Sequence, residues 1–286
     1  MVSAASGAHY VTAFLADRFS CIYGKATVYI NMIPDRSRDM DEKSWWDLWN
    51  SSYRTKDNND AVSSELFERA AAVVNTMTPA AGCRVLEVAC GAGALSRLLT
   101  YSSYRGLDIS PAAVEIARQK AKSIQQSAGA PFPTYEAADF HDWLLPPDPF
   151  DVVVCVDAIM CFRDQQLALR KMAQGLRPGG TLVLTAINPF VYNRIRRTAT
   201  TPIQSGPVSR WLSGGELHAM IKSAGLTIER SWTIIPRGNR GILRLINSGR
   251  LNQAFGPRFE AVLRRLKERV GLGQYRVIVA RKDSGV

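Results

Sequence analysis

The chain of 286 residues lacks the features that mark several classes of protein. It has five cysteines and no CxxC pair, which argues against a disulfide framework and against a zinc site. It has only three histidines, and it shows no internal repeat and no low-complexity tract. No segment approaches the roughly 18 to 20 apolar residues of a membrane-spanning helix. We therefore predict no bound metal ion and a cytoplasmic location, with membrane contact confined to the periphery.

The first 40 residues are expected to form a flexible tail. Residues 1–34 are only mildly apolar, and they lack the basic start and the apolar core of a signal peptide. An initiation codon placed too far upstream is an alternative, with the true start near Met32 or Met40.

Positive charge is concentrated in the last third of the chain. The formal net charge is +11, and residues 237–286 carry twelve basic against three acidic side chains. Within 237–271, apolar residues interleave with arginines at helical spacing. Three interpretations stay open: a helical cap that buries its apolar stripe, contact with a membrane or an anionic lipid, and nucleic-acid binding. The third is disfavoured because no nucleic-acid recognition module is present. The oligomeric state is not predicted.

Strand and helix patterns alternate from residue 62 onward. Predicted strands occupy 83–89, 104–109, 133–140, 150–157, 181–188, 226–235 and 274–282. A helix occupies 62–77, and others begin after Ser110, Asp164 and Ser213. This order predicts an α/β fold: a doubly wound, mostly parallel, seven-stranded Rossmann-like sheet with an antiparallel last strand. Ligands bind such sheets at the carboxyl ends of the strands.

The domain organisation follows from these patterns. We assign residues 41–80 to an N-terminal helical lid segment and 81–236 to the ligand-binding core. Residues 237–273 form a basic helical insertion, and 274–286 form the closing strand and the C-terminal end.

The stretch VLEVACGAGALSRLL, residues 85–99, predicts a strand ending at Glu87, a glycine turn and the first turns of a helix. A dinucleotide site would place a third glycine where Ser96 stands, and Glu87 would repel a pyrophosphate. Asp108 ends the next strand, where a carboxylate can accept both ribose hydroxyls. A ribose without a diphosphate, beside a positively charged group, describes S-adenosylmethionine (SAM).

Five blocks in order carry a family resemblance. VLEVACGAG, GLDIS, AADF, FDVVVCVDAIM and LRPGGTLVLT resemble the motif series of class I SAM-dependent methyltransferases of the small-molecule type, over roughly residues 62–236. Ala89 stands where many members have the first glycine of the turn. We expect a slight shift of the turn and no loss of binding.

The resemblance implies SAM as cofactor and a set of contacts to it. Glu87, Ala89, Gly91 and Gly93 would line the methionine part. Asp108 would hold the ribose, with Ile109 against the adenine, and Asp139 and Phe140 would meet the adenine amino group and ring. Cys155 and Val156 would border the sulfonium.

Catalytic and acceptor residues are less clearly marked. Asp157 and His141 are the candidate general bases, and neither is assigned; His218 is expected to face solvent. Trp46, Trp49 and Tyr53 share a helical face, either as a lid over the acceptor or as a helix packed on the sheet. The other acceptor-pocket candidates are Met160, Phe162, Phe190 and Tyr192, with Arg194 and Arg197 as a clamp for an anionic group or as a solvated basic face.

The sequence thus predicts a methyltransferase that acts on a small, largely apolar metabolite, including anionic or lipid-like ones. Oxygen is the favoured acceptor atom, carbon the second and nitrogen the third. Two alternatives are an RNA or DNA methyltransferase and a non-catalytic SAM-binding partner subunit.

Overall fold

The computed structural model describes residues 41–47, 61–77, 82–124, 131–191, 210–235 and 249–284. The tail predicted for 1–40 lies outside them. The strands of the structure are β1 Arg84–Val88, β2 Ser103–Asp108, β3 Thr134–Ala137, β4 Phe150–Val156, β5 Leu176–Ile187, β6 Leu226–Ile234 and β7 Tyr275–Lys282. The helices are α1 (residues 42–47), α2 Ala61–Met77, α3 Pro111–Ile124, α4 Gln165–Gly175, α5 Gly214–Ser223 and α6 Gly249–Arg269.

The seven strands form one sheet in the order β3-β2-β1-β4-β5-β7-β6. Pairing is parallel from β3 through to β5, whereas β7 runs antiparallel to both β5 and β6. The predicted α/β architecture, with its antiparallel last strand, is therefore confirmed. The order reverses between β1 and β4, and the carboxyl edge at this point is where such sheets bind ligands.

Each face of the sheet carries its own apolar core, because successive residues of a strand point to opposite faces. Val154 belongs to the core covered by α2 and α3, and Cys155 to the core covered by α4 and α5. Leu66 and Val74 of α2 are buried in the first of these cores. Helix α2, which belongs to the predicted lid segment 41–80, thus packs against the sheet as part of the core.

The predicted helix starts are confirmed by their capping bonds. Asp164 accepts a hydrogen bond from the Leu167 amide at 2.8 Å, and Ser110 Oγ accepts one from the Ala113 amide at 3.2 Å. Ser213 and Glu216 form the reciprocal capping box at the start of α5.

The helix predicted directly after the glycine turn is wrong. Only a single 3₁₀ turn, Leu95–Arg97, follows the turn. Asn75 of α2 ends it, because its side chain donates to the Leu98 carbonyl at 2.8 Å and accepts from the Thr100 amide at 3.0 Å. The chain then enters β2 at Ser103.

Two further boundaries differ from the prediction. Strand β5 begins at Leu176, so the predicted LRPGG turn lies within it as an irregularity with Gly179 at φ 71°. The insertion predicted for 237–273 is described from residue 249, as helix α6 with a non-helical residue at Gly256. Of the helices in the described ranges, none is both long and apolar enough to cross a membrane.

Candidate functional site

The turn after β1 lies at the carboxyl edge and has three residues in the left-handed region: Ala89 at φ 60°, Gly91 at 51° and Gly93 at 68°. For alanine this conformation costs about 1–2 kcal/mol. The Cys90 amide donates to the Leu107 carbonyl at 2.8 Å and so ties the turn to β2. Ala89 therefore adopts a left-handed conformation that glycine would adopt without strain.

Asp108, at the end of β2, is held by two backbone amides. Its Oδ2 accepts from the Gly91 amide at 2.7 Å, and its Oδ1 accepts from the Ser110 amide at 3.0 Å. A carboxylate offers about four acceptor positions, so these bonds orient the group without using up its capacity. Ile109, partly buried, follows at the same edge. The arrangement suits the two adjacent hydroxyls of a ribose.

Ser96 stands at the position of the third glycine of a dinucleotide-binding motif, and its hydroxyl forms two hydrogen bonds. Tyr135 donates to Ser96 Oγ at 2.7 Å, and Ser96 donates to the Gly93 carbonyl at 3.1 Å. A Cβ on Gly93 would lie 2.7 Å from the Tyr135 hydroxyl. The buried Tyr135 therefore supports the turn through Ser96. Gly93 is required because a side chain at this position would clash with Tyr135.

Glu87 is completely buried at the end of β1. The Tyr104 hydroxyl donates to its carboxylate. Burial, followed by the charge of Glu87, raises the pKa of Tyr104 well above its ordinary value, so the phenol stays a donor. A buried carboxylate beneath the turn makes this edge more attractive to a cation than to a pyrophosphate.

Asp139 follows β3 and is held by His141 and Arg163. Its Oδ1 accepts from the His141 amide at 2.8 Å, and Arg163 forms an ion pair with its Oδ2. Burial by itself raises the pKa of Asp139, but the hydrogen bonds from His141 and Arg163 outweigh it, and the pKa lies below its ordinary value. Asp139 is therefore an oriented, charged acceptor.

His141 is engaged through both ring nitrogens. Nδ1 lies 3.2 Å from Asp139 Oδ1, and Nε2 lies 3.1 Å from the Asp164 carbonyl oxygen. Its side chain is only 4% exposed. The ring thus positions Asp139 and the start of α4, which weighs against a role as general base.

Helix α1 lies beside the expected nucleoside position. Asp47 Oδ1 accepts from Ser110 Oγ at 2.6 Å and from the Ala112 amide at 3.1 Å. Trp45 is buried and packs edge-to-face on Trp46, with ring centroids 4.8 Å apart. The described part of the predicted lid therefore covers the β2–α3 side of the site. Two more of its predicted aromatic residues, Trp49 and Tyr53, lie outside the described residues.

Asp157 follows β4 in the left-handed conformation, at φ 53°. Its amide donates to the Thr185 carbonyl at 3.2 Å and to Thr185 Oγ1 at 2.9 Å. Burial, followed by the charge of Asp157, raises the pKa of the Cys161 thiol well above its ordinary value. The side chains of Cys155 and Val156 lie in the two opposite cores. A ligand at this edge would therefore contact the backbone of these residues and not their side chains.

Some of the predicted acceptor residues are buried in the core, and others are exposed on the surface. Met160 is buried, and Phe140, predicted at the adenine, is 4% exposed and stacks on Trp143 with centroids 6.3 Å apart. Phe162 packs edge-to-face on Phe140. Phe190, in contrast, is 54% exposed. The remaining candidates, Tyr192, Arg194 and Arg197, lie outside the described residues.

A cleft of about 490 Å³ opens where β5 ends and β7 begins. Its wall includes Phe190, the first turn of α5 with His218, the loop Val270–Leu272, and Arg276 of β7. Asn188 joins β5 to this loop by donating to the Gly271 and Gly273 carbonyls at 3.1 and 2.9 Å. The sequence pattern does not single out Arg276 and predicts that His218 faces solvent; in the structure His218 is partly buried, with Nε2 2.9 Å from Ser231 Oγ.

Comparison with known families decides the class of this site. Residues 79–225 match the family model of a methyltransferase domain. The chain belongs to this methyltransferase family. The family predicted from the sequence is thereby confirmed.

Similar proteins include a probable phthiotriol/phenolphthiotriol dimycocerosates methyltransferase 2 from Mycobacterium ulcerans (strain Agy99), 33% identical over 46% of this chain and 49% of the relative. A ubiquinone biosynthesis O-methyltransferase from Xanthomonas euvesicatoria pv. vesicatoria (strain 85-10) is 28% identical over 54% of this chain and 67% of the relative. The first match thus spans about half of the relative's length.

Among solved structures, magnesium protoporphyrin IX methyltransferase from Synechocystis PCC 6803 with bound SAM is similar. It has a TM-score of 0.54 at 16% identity, and the match covers 85% of this chain and 98% of that one. At this identity the similarity supports the fold alone.

Proposed function

We propose that this protein transfers a methyl group from SAM to a small, largely apolar and lipid-like acceptor, and to oxygen in preference to carbon. The observation that carries the proposal is the position of Asp108, fixed by the Gly91 amide at 2.7 Å beside a turn with a buried carboxylate below it. Such a site accepts ribose hydroxyls and favours a neighbouring positive charge.

The residues of the site act by binding and orientation. When bound, SAM supplies a methyl group that its sulfonium has already activated. Asp108 would hold the ribose, Asp139 the adenine amino group, and the turn from Ala89 to Gly93 the methionine part. Alignment of acceptor and methyl group can supply about 7–11 kcal/mol of the barrier, so an assigned catalytic base is not a requirement.

Asp157 is the better of the two candidate bases. It lies at the end of β4, and its backbone is held by Thr185, whereas both ring nitrogens of His141 contact protein groups. A carboxylate that accepts the proton of a hydroxyl acceptor adds about 10²–10⁴-fold to the rate. The role applies to an oxygen acceptor, which is the reason to measure the acceptor atom.

The acceptor class is supported by the relatives. The names of the two relatives indicate a phthiotriol-type substrate for one and ubiquinone biosynthesis for the other. The exposed Phe190 beside the cleft provides apolar surface near the end of β5. Both observations favour an acceptor with a large apolar part.

Calorimetric titration with SAM tests the cofactor half of the proposal. We expect Asp108→Asn to weaken SAM binding about 10- to 100-fold, because charge-assisted bonds to the ribose are lost. Asp148→Asn is the matched control, since that side chain is 77% exposed. No binding by the wild type, or equal binding by Asp108→Asn, would contradict the assignment.

Incubation with methyl-labelled SAM and fractionated cell extract tests the acceptor half. We expect the label in the lipid fraction, together with S-adenosylhomocysteine. Label in nucleic acid or in hydrophilic metabolites would contradict a lipid-like acceptor. SAM binding without any S-adenosylhomocysteine would indicate the non-catalytic partner subunit instead.

A further inference from the structure

Arg276 lies half-buried in the wall of the cleft, without a described carboxylate partner. Its Nη1 donates to Ser231 Oγ at 3.3 Å, and within the described ranges no ion pair involves it. Gly214 leaves room for the guanidinium, because a Cβ there would lie 2.8 Å from its central carbon. The start of α5 is therefore shaped around a positive charge that the described part of the fold does not neutralise.

Among the described residues that line the cleft with Arg276, none carries a carboxylate. His218 shares the Ser231 hydroxyl with it, at 2.9 Å. Burial, followed by the positive charges of Arg276 and Lys222, lowers the pKa of His218, so the imidazole is neutral near pH 7. Removing a charged group from water is costly unless it is paired. A bound anion would provide the missing pair.

We propose that Arg276 binds the anionic group, a carboxylate or a phosphate, of an amphipathic acceptor whose apolar part lies against Phe190 and Val270. This inference rests on the proposed function for the identity of the ligand. Arg276 pairs with Ala186 of β5, whose neighbour Thr185 pairs with Val156 of β4. Two strand spacings are about 10 Å, so the backbone of Arg276 lies about this far from the end of β4, and both belong to the same edge of the sheet.

Binding of short amphipathic probes tests the anion site. Octanoate and octyl phosphate are titrated by calorimetry against octanamide, a neutral analogue of the carboxylate. We expect the protein to bind at least one anionic probe more tightly than octanamide. Arg276→Gln should weaken the binding of that probe at least about tenfold. Arg276→Lys should recover part of the affinity. The stronger of the two anionic probes identifies the headgroup.

The control is Arg230→Gln, because Arg230 is an exposed arginine of β6 whose guanidinium lies 5.0 Å from the Trp232 ring centroid. Equal affinity of anionic and neutral probes, or an unchanged affinity in Arg276→Gln, would overturn the anion site. SAM titration of the same variants distinguishes the two proposals, since Arg276→Gln should leave SAM binding unchanged. Failure of the wild type to bind SAM would instead contradict the proposed function.

An independent observation concerns helix α6. The apolar side chains Phe259, Val262, Leu266 and Val270 recur at intervals of three and four and are 38%, 65%, 56% and 60% exposed. The interpretation of this stripe as a buried cap is therefore wrong for these residues. A second row, Arg258, Arg265 and Arg269, lies exposed beside the first. No described ion pair involves these three arginines.

We infer that this face of α6, the two rows taken together, docks on an anionic lipid surface. Such a surface takes up apolar side chains while its phosphates pair with flanking arginines. A second copy of the chain would bring like-charged arginine rows together, and a nucleic acid would leave the apolar row in water. Val270 belongs both to this face and to the cleft wall, so docking would bring the cleft mouth to the lipid.

Co-sedimentation with vesicles tests the docking face. We expect the protein to bind vesicles of 30% phosphatidylglycerol in phosphatidylcholine and to bind pure phosphatidylcholine far more weakly. Each arginine near an anionic surface strengthens binding about fivefold. Replacing all three, Arg258, Arg265 and Arg269, by Gln should therefore weaken binding on the order of 100-fold, and Leu266→Glu should reduce it strongly.

Matched controls exist elsewhere on the surface. Leu144→Glu changes a leucine that is 86% exposed, and the triple change of Arg97, Lys122 and Arg170 to Gln removes three exposed positive charges. Both should bind vesicles nearly as the wild type does. No vesicle binding by the wild type, or an equal loss in the variants and their controls, would overturn the docking face, whatever the outcome for SAM.

Discussion

Replacement of Gly93 by alanine tests how the cofactor turn is supported. The new Cβ would lie 2.7 Å from the Tyr135 hydroxyl and 3.0 Å from Cβ of Ala117. Ala117 is fixed on the backbone of α3, so Tyr135 has to move. Its movement breaks the 2.7 Å hydrogen bond to Ser96, which in turn supports the Gly93 carbonyl.

The expected loss of stability is the sum of two costs and one gain. The left-handed conformation costs alanine about 1–2 kcal/mol, and the broken buried hydrogen bond costs about 1–3 kcal/mol. The lower entropy of the unfolded alanine chain returns about 0.5–1 kcal/mol. We expect a net loss of about 1–4.5 kcal/mol, equivalent to a fall in Tm of about 2–9 °C at roughly 2 °C per kcal/mol for a chain of this size.

Urea unfolding followed by tryptophan fluorescence measures this loss, with Gly225→Ala as the control. Gly225 also has a positive φ, of 80°, but a Cβ there would meet nothing within 4 Å. It should therefore lose only the conformational part, about 1 kcal/mol. Equal losses at Gly93 and Gly225 would refute the role given to Tyr135.

Further predictions concern the same edge of the sheet. Ala89→Gly should stabilise the fold by about 0.5 kcal/mol, because relief of left-handed strain exceeds the entropy cost of glycine; thermal unfolding measures it. Tyr104→Phe should lower the free energy of unfolding by about 1.5–3 kcal/mol, since it removes a donor to the buried carboxylate of Glu87. Urea unfolding measures the loss, and an unchanged midpoint would contradict the prediction. Because the pKa of Asp139 is lower in the folded than in the unfolded chain, its contribution to stability is present above about pH 4 and is lost as the pH falls below it. Arg163→Gln should therefore begin to unfold at a higher pH than the wild type in an acid titration followed by circular dichroism; coincident curves would argue against the ion pair.

The elements that sequence reasoning predicted correctly are those with local causes. The caps at Ser110, Asp164 and Ser213 act within three residues of each helix start, so the chain carries them visibly. The glycine turn and the apolar strands are local in the same sense. In contrast, the single 3₁₀ turn after Gly93 depends on Asn75, more than twenty residues away in the sequence.

The same distinction between local and distant causes applies to the residues of the site. The pairing of Asp108 with the turn could be anticipated, because adjacent parallel strands bring their carboxyl ends together. The engagement of both His141 nitrogens and the burial of Phe140 could not be, since periodicity does not tell which neighbour a loop side chain meets. No signal in the sequence would have joined Arg276 to His218.

The sequence by itself determined the order of strands and helices, the glycine turn with its two carboxylates and the methyltransferase family, because these features depend on neighbouring residues and on a parallel sheet that aligns its strand ends. Tertiary structure alone decided that an arginine of the last strand lines the cleft between β5 and β7 and that the apolar stripe of α6 is exposed. Burial and charge pairing depend on which distant segments pack together, and no local pattern encodes that choice.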